Sequence, residues 1–273
     1  MQLVGISLVR NEDRFVRRAL LNVADVCDRV LVADHMSTDG TREILRELAR
    51  ELGHLEVHRI RHSADSHALI EPFAGTDTWI LSVDGDELYD PEGLPQFRRE
   101  LEEGIHADVF RLRPAGLHCD ELDETRALAR GYLSPPSRPL VGALNFGAVE
   151  SWSDVRDERL HGGEVAFRPG FGWDSWRHLG DDRGWETSPF RNLHVCFVRR
   201  SSKDPDAVPS TGRPNLGETR AFRRGALGPF ERLLRRTLRR SPVQDRQASE
   251  WKAEKYRRGE RVTVDATPFL GRT

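Results

Sequence analysis

Four short apolar runs, Gln2–Val9, Arg29–Asp34, Leu55–Ile60 and Trp79–Val83, constrain the N-terminal third of this chain more than any other feature. Each has the length and β-branched content of a buried strand. Between them the apolar spacing turns helical. Phe15, Ala19, Leu20 and Val23 recur on one face, then Ile44, Leu45, Leu48 and Leu52, with a helix-like Ala64–Ala74 before the fourth run. Asn11 is placed to cap the first helix. Ser37, Thr38 and Asp39 offer capping oxygens for the second, Gly40 permits a tight turn, and Gly53 is the expected stop. Strands alternating with helices through short connections predict right-handed β-α-β units. The result is an α/β fold with a mostly parallel central sheet flanked by helices. Such sheets bind ligands beyond the C-terminal strand ends. Those ends read Val9-Arg10-Asn11-Glu12, Asp34-His35 and Asp84-Gly85-Asp86, so three carboxylate-bearing tips share one rim.

Composition narrows the class. At 273 residues and 37% hydrophobic the chain can bury a core, and no apolar run approaches the ~20 residues of a membrane helix. The start, MQLVGISLVRNED, lacks the basic and long apolar stretches of a signal peptide, and Cys27, Cys119 and Cys196 are too few and too scattered for a disulfide framework. These features predict a soluble, cytoplasmic protein. Residues 220–261 carry 14 Lys or Arg against 5 Asp or Glu, a balance of +9, so the remainder carries −2 − 9 = −11. A near-neutral whole with an acidic body argues against general nucleic-acid binding.

The second half is less regular. Val109–Arg113, Glu164–Arg168 and Asn192–Arg199 read as strands, and Ser134–Pro139 as a proline-punctuated loop. Ser201–Gly217 has linker composition. Beyond it, Pro229–Arg240 carries Phe230, Leu233, Leu234 and Leu238 as a narrow stripe on an Arg-rich helix. That pattern predicts a helix packed on its own domain or on a second subunit of a homodimer. It also suits peripheral contact with the inner membrane face.

The chemistry concentrates at Asp84-Gly85-Asp86-Glu87. Two carboxylates separated by a small residue past a strand end supply hard oxygen ligands for Mg2+ or Mn2+, and Gly85 leaves room for phosphates. The run LVRNED after the first strand, VADHMSTDGT after the second and WILSVDGDE after the fourth stand in one order and spacing. Together they resemble the family 2 glycosyltransferases, which have the GT-A fold, with Leu8 where proline is usual and His35-Met36 replacing Asn-Gly or Asp-Gly.

The resemblance implies an inverting transfer from a nucleoside-diphosphate sugar (a UDP, GDP or dTDP donor) to an acceptor hydroxyl. It also implies a GT-A domain over 1–200, with a nucleotide half 1–115 and an acceptor half 116–200, followed by a linker and basic helical extension over 201–273. Val9, Arg10 and Glu12 would line the base and ribose pocket, and Asp34 would hydrogen-bond the base or ribose. Asp84 would lie near the ribose and the metal, and Asp86 would coordinate it, with His194 a candidate third ligand.

For the base that deprotonates the acceptor, the pair Asp181-Asp182 is the first choice, with Glu150 and Glu186 as rivals. Arg199 and Arg200 are either a phosphate clamp or a solvated pair. Trp152, Phe171, Trp173, Trp176 and Trp185 serve either as an acceptor platform or as core. A nucleotidyltransferase, an aspartyl phosphohydrolase and a non-catalytic sugar-binding scaffold are the competing readings. The first lacks a Gly-rich basic loop after strand one, and the second wants its motif on an early strand.

Overall fold

A computed structural model describes residues 1–155, 158–204 and 253–271. The strands β1 (Gln2–Val9), β2 (Arg29–Asp34), β3 (Leu55–Arg59) and β4 (Thr78–Ser82) fall where the apolar runs place them. The helices α1 (Val16–Ala24) and α2 (Thr41–Glu51) bury Leu20, Val23, Leu45 and Leu48 against the sheet. The helix expected over 64–74 is instead two 3-10 turns, Ser63–Leu69 and Glu71–Phe73. Pro72 brings no N–H to the second, and Ser66 Oγ donates to Ser63 O within the first.

After β5 (Glu87–Tyr89) and α3 (Leu94–Glu102), the chain runs through β6 (Arg111–Arg113), β7 (Ala115–Asp123) and β8 (Leu128–Ser134). It continues through β9 (Ala143–Asn145), β10 (Val149–Ser153), β11 (Glu164–Phe167) and β12 (Trp176–His178). It then forms α4 (Leu179–Thr187), β13 (Arg191–His194), β14 (Arg261–Asp265) and α5 (Thr267–Leu270). The seven-stranded sheet has the order β12-β6-β9-β4-β1-β2-β3. Within it β9 alone runs against the others, so the C-terminal ends of β1, β2, β4, β6 and β12 share one rim.

A second, five-stranded sheet has the order β14-β8-β7-β13-β5. The sequence did not announce its β7–β8 hairpin, because a register shift between Cys119 and Glu121 breaks the alternation. Gly131 allows the hairpin to close: a Cβ there would sit 2.1 Å from His118 O. Two expectations are corrected here. The strand expected over 192–199 ends at His194, where Val195 N donates to Asp86 O and a turn follows. The C-terminal residues also do not all extend away. β14 pairs antiparallel with β8, and Phe269 is fully buried, with its carbonyl accepting from Asn22 Nδ2. The basic stretch 229–240 lies outside the described residues. Among the described residues no helix is long and apolar enough to cross a membrane.

Candidate active site

The rim loops after β1 and β2 are tied to each other by polar side chains. Asn11 does not cap α1. It takes a left-handed φ of 57°, its N–H donates to Ser37 Oγ, and its Oδ1 accepts from Thr38 N. Asp34 is buried and accepts from Ser37 N at 2.9 Å, while Asp39 Oδ1 accepts from Thr41 N at 3.0 Å. Val9 is fully buried, Glu12 is buried with its N–H on Thr41 Oγ1, and Arg10 is exposed.

Residues 201–204, which linker composition placed outside the domain, close this rim. Ser201 Oγ donates to Asp39 Oδ2, Ser202 N donates to Asp13 Oδ1 at 2.7 Å, and Lys203 Nζ donates to Thr38 O. Burial raises the Asp39 carboxyl's pKa, but the bonds from Ser201 and Thr41 outweigh it and hold the group below its ordinary value.

Gly85 packs against Glu12 and Val9, where a Cβ would lie 2.9 Å from Glu12 Cβ and Cγ. Both aspartates of the DGD motif face cations. Asp84 pairs with the buried guanidinium of Arg159, which also reaches Ser82 Oγ at 3.3 Å. Asp86 pairs with Arg200, itself 6% exposed and 3.6 Å from Glu12 Oε1. Arg200 is therefore neither a solvated surface residue nor free to act on phosphates alone. Arg199 instead donates to the carbonyls of Ser201 and Ser202. Burial works against the charge on Arg159 and Arg200, and the facing carboxylates more than restore it.

His194 ends β13 in register with Glu87 on one side and His118 on the other. Its Nε2 lies 3.5 Å from Asp86 Oδ2, and its Nδ1 is 2.9 Å from His118 Nδ1. Because His118 Nε2 donates to Arg138 O at 2.8 Å, the network assigns His118 Nδ1 as the acceptor and His194 Nδ1–H as the donor. Burial opposes the imidazolium of His194, but Cys196 and Asp86 outweigh it and push the group up to about 10. Glu87 goes up to about 8, through burial first and the Asp84 charge second.

Were His194 to give up its Nε2 proton, that nitrogen and the Asp86 carboxylate oxygen, 3.5 Å apart, would offer a mixed N/O pair to a divalent cation.

Asp181 and Asp182 stand exposed in the first turn of α4, where Asp182 is 4.0 Å from Arg177. They follow β12, three strands from β4, and at ~4.8 Å per strand this places them on the same rim but ~14 Å along it. Glu150 is exposed on the small β10–β11 sheet, and Glu186 is exposed 3.9 Å from Arg191. The aromatics divide. Trp152 is core, Phe171 packs at its edge and Trp185 stacks on Phe269, whereas Trp173 and Trp176 are 43% and 44% exposed.

Residues 6–125 match the family model for glycosyl transferase family 2. By this match the segment is similar to the family 2 glycosyltransferases. The match spans the three rim loops that carry LVRNED, VADHMSTDGT and DGDE. Among solved structures, TarS of S. aureus is 21% identical over 46% of this chain and 24% of its own, with a TM-score of 0.35. A mannosyltransferase from Pyrobaculum calidifontis, solved with GDP-Man and Mn2+, is 19% identical over 45% and 36%, with a TM-score of 0.33. Glucosyl-3-phosphoglycerate synthase from Mycobacterium tuberculosis, solved with Mn2+, UDP and glucosyl-3-phosphoglycerate, is 15% identical over 42% and 44%, with a TM-score of 0.33. The chain thus spans less than half the length of each. No curated protein matches it.

Sequence reading missed Arg159, His118 and the pairing role of Arg200. In an Arg-rich chain no local pattern separates a buried guanidinium from a solvated one.

Proposed function

We propose that this chain transfers a glycosyl group from a nucleoside-diphosphate sugar to an acceptor hydroxyl with inversion. The observation that carries the reading is the DGD motif itself. Two aspartates follow β4 in the segment similar to family 2, each facing a buried arginine, and Asp86 also faces His194. Val9, Arg10, Glu12 and Asp34 line the rim on which base and ribose would lie.

Asp86 and His194 would hold a divalent cation, with Asp84 beside it. Once bound, the ion supplies electrostatic and Lewis-acid relief of charge on the diphosphate. Arg200 and Arg159, which hold Asp86 and Asp84, would add charge-assisted donors beside the phosphates. In the transfer, the bond from the anomeric carbon to the diphosphate oxygen breaks as the acceptor oxygen bonds to the opposite face. The hydroxyl proton passes to a carboxylate, for which the exposed pair Asp181-Asp182 on the acceptor side of the rim is the candidate.

The test is thermal unfolding with UDP, GDP, CDP and dTDP, each with Mn2+ or EDTA. A nucleotide at ~100 times its Kd adds about 2.7 kcal/mol, which is several degrees here. A metal-dependent shift for one nucleotide, abolished by Asp86→Ala, is expected. Product anomer by NMR then checks inversion. No shift with any nucleotide overturns the reading.

A further inference from the structure

A second charged feature stands next to this site. A cavity of about 300 Å3 is lined by Arg111, Arg113, Arg138, Val141, Leu160 and Trp173, among others. Among the described residues no carboxylate lies within ion-pair distance of any of the three arginines, although arginines elsewhere in the chain are paired repeatedly. Arg111 Nε and Arg113 Nε are buried without a hydrogen-bond partner. Burial, with Arg113 adding repulsion, pulls Arg111 down to about 10, and burial and Arg138 lower Arg113 as well. Three neighbouring cations, two of them with a buried unmet Nε–H, cost free energy that an anion would offset. Aromatic faces hold them in place: Arg111 lies 5.3 Å from the Trp173 ring centroid and Arg113 lies 4.4 Å from that of Trp176.

The location ties the cavity to the donor carboxylates. Arg159, which holds Asp84, immediately precedes the wall residue Leu160. Gly142, next to the wall residue Val141, accepts from Ser82 N at 2.8 Å, two residues before Asp84. Arg113 ends β6, two strands from β4, or ~10 Å along the rim. It sits between the DGD motif and the Asp181-Asp182 pair.

We propose that this cavity is the acceptor site and that it takes a phosphorylated acceptor, with the phosphate on Arg111, Arg113 and Arg138 and the attached organic group against Trp173. The proposal rests on the transferase reading. A phosphate monoester carries about −1.5 to −2 charge and three acceptor oxygens, which suits three neighbouring guanidiniums, none ion-paired among the described residues, better than a single carboxylate does.

The experiment titrates the full chain with inorganic phosphate, with acetate and chloride at matched ionic strength as controls, following tryptophan fluorescence and thermal unfolding. Phosphate should give a saturable response that the controls do not. Arg111→Gln and Arg113→Gln should weaken it at least about tenfold, and Asp86→Ala should leave it intact. Arg113→Gln should unfold no lower than the parent in chloride, because repulsion is relieved. If that variant fails to fold, Arg138→Gln, at an exposed position, takes its place. A response equal for acetate, or retained by the arginine variants, overturns the proposal. Nucleotide binding without phosphate binding overturns the cavity assignment alone. Phosphate binding without nucleotide binding overturns the transferase reading and with it the acceptor role.

Discussion

Replacing Arg200 by glutamine removes one partner from a buried charge cluster while keeping much of the side-chain volume. Arg200 is 6% exposed, and its guanidinium meets Asp86 and lies 3.6 Å from Glu12, residues 4% and 6% exposed. The substitution leaves two buried carboxylates with His194 as their remaining cation. Breaking a buried pair on one side costs about 3–5 kcal/mol, because the surviving charge keeps its desolvation penalty. At 2–4 °C per kcal/mol for a domain of this size, the Tm in EDTA should fall by roughly 6–20 °C. Urea unfolding in EDTA measures the loss directly, with Arg126→Gln, at a solvated arginine 76% exposed, as the control expected within about 0.5 kcal/mol. Because the stranded Asp86 can instead take a proton, the loss should shrink toward pH 5. Mn2+ at ~100 times its Kd should return about 2.7 kcal/mol. A variant as stable as the parent in EDTA would refute the argument that Arg200 neutralises Asp86.

Glu87 and His194 both hold in the folded protein a proton that the unfolded chain releases near 4.5 and 6.5, respectively. The stability each contributes is complete below those values and lost as pH rises through about 8 and about 10. Between pH 6.5 and 8 both act, so unfolding free energy in EDTA should fall by up to about 2.7 kcal/mol per pH unit; a flat profile in urea titrations would contradict this. Phe269→Ala should cost about 3–5 kcal/mol by the same measurement, since the ring is fully buried and stacks on Trp185; a loss under 1 kcal/mol would show that the C-terminal return is not part of the cooperative unit. Gly131→Ala should destabilise by about 1–3 kcal/mol or more, because the new Cβ meets the His118 carbonyl; Gly53→Ala, with open space around it, should not.

The first two β-α units and β4 were legible because β1, β2 and β4 are buried along nearly their whole length and α1 and α2 bury one face. The apolar period therefore names β1 to β4, α1 and α2, though not the 3-10 turns, β5 or α3, and strand ends place Glu12, Asp34, Asp84 and Asp86 on one rim. The second sheet was not legible. Its β7–β8 hairpin carries a bulge, its β5 is three residues long, and its β14 comes from the far end of the chain. None leaves a periodic trace.

The sequence alone determined the α/β class, the order of the first four strands and the carboxylates at their tips, because local spacing decides which residues face a core. Only the tertiary structure decided which cation meets which carboxylate. Arg159 lies 75 residues from Asp84 and Arg200 lies 114 from Asp86, so no local pattern distinguishes them from the solvated arginines elsewhere. The same holds for Arg111, Arg113 and Arg138. Among the described residues no carboxylate pairs with them, and charge pairing across such separations is set by three-dimensional packing rather than by chain order.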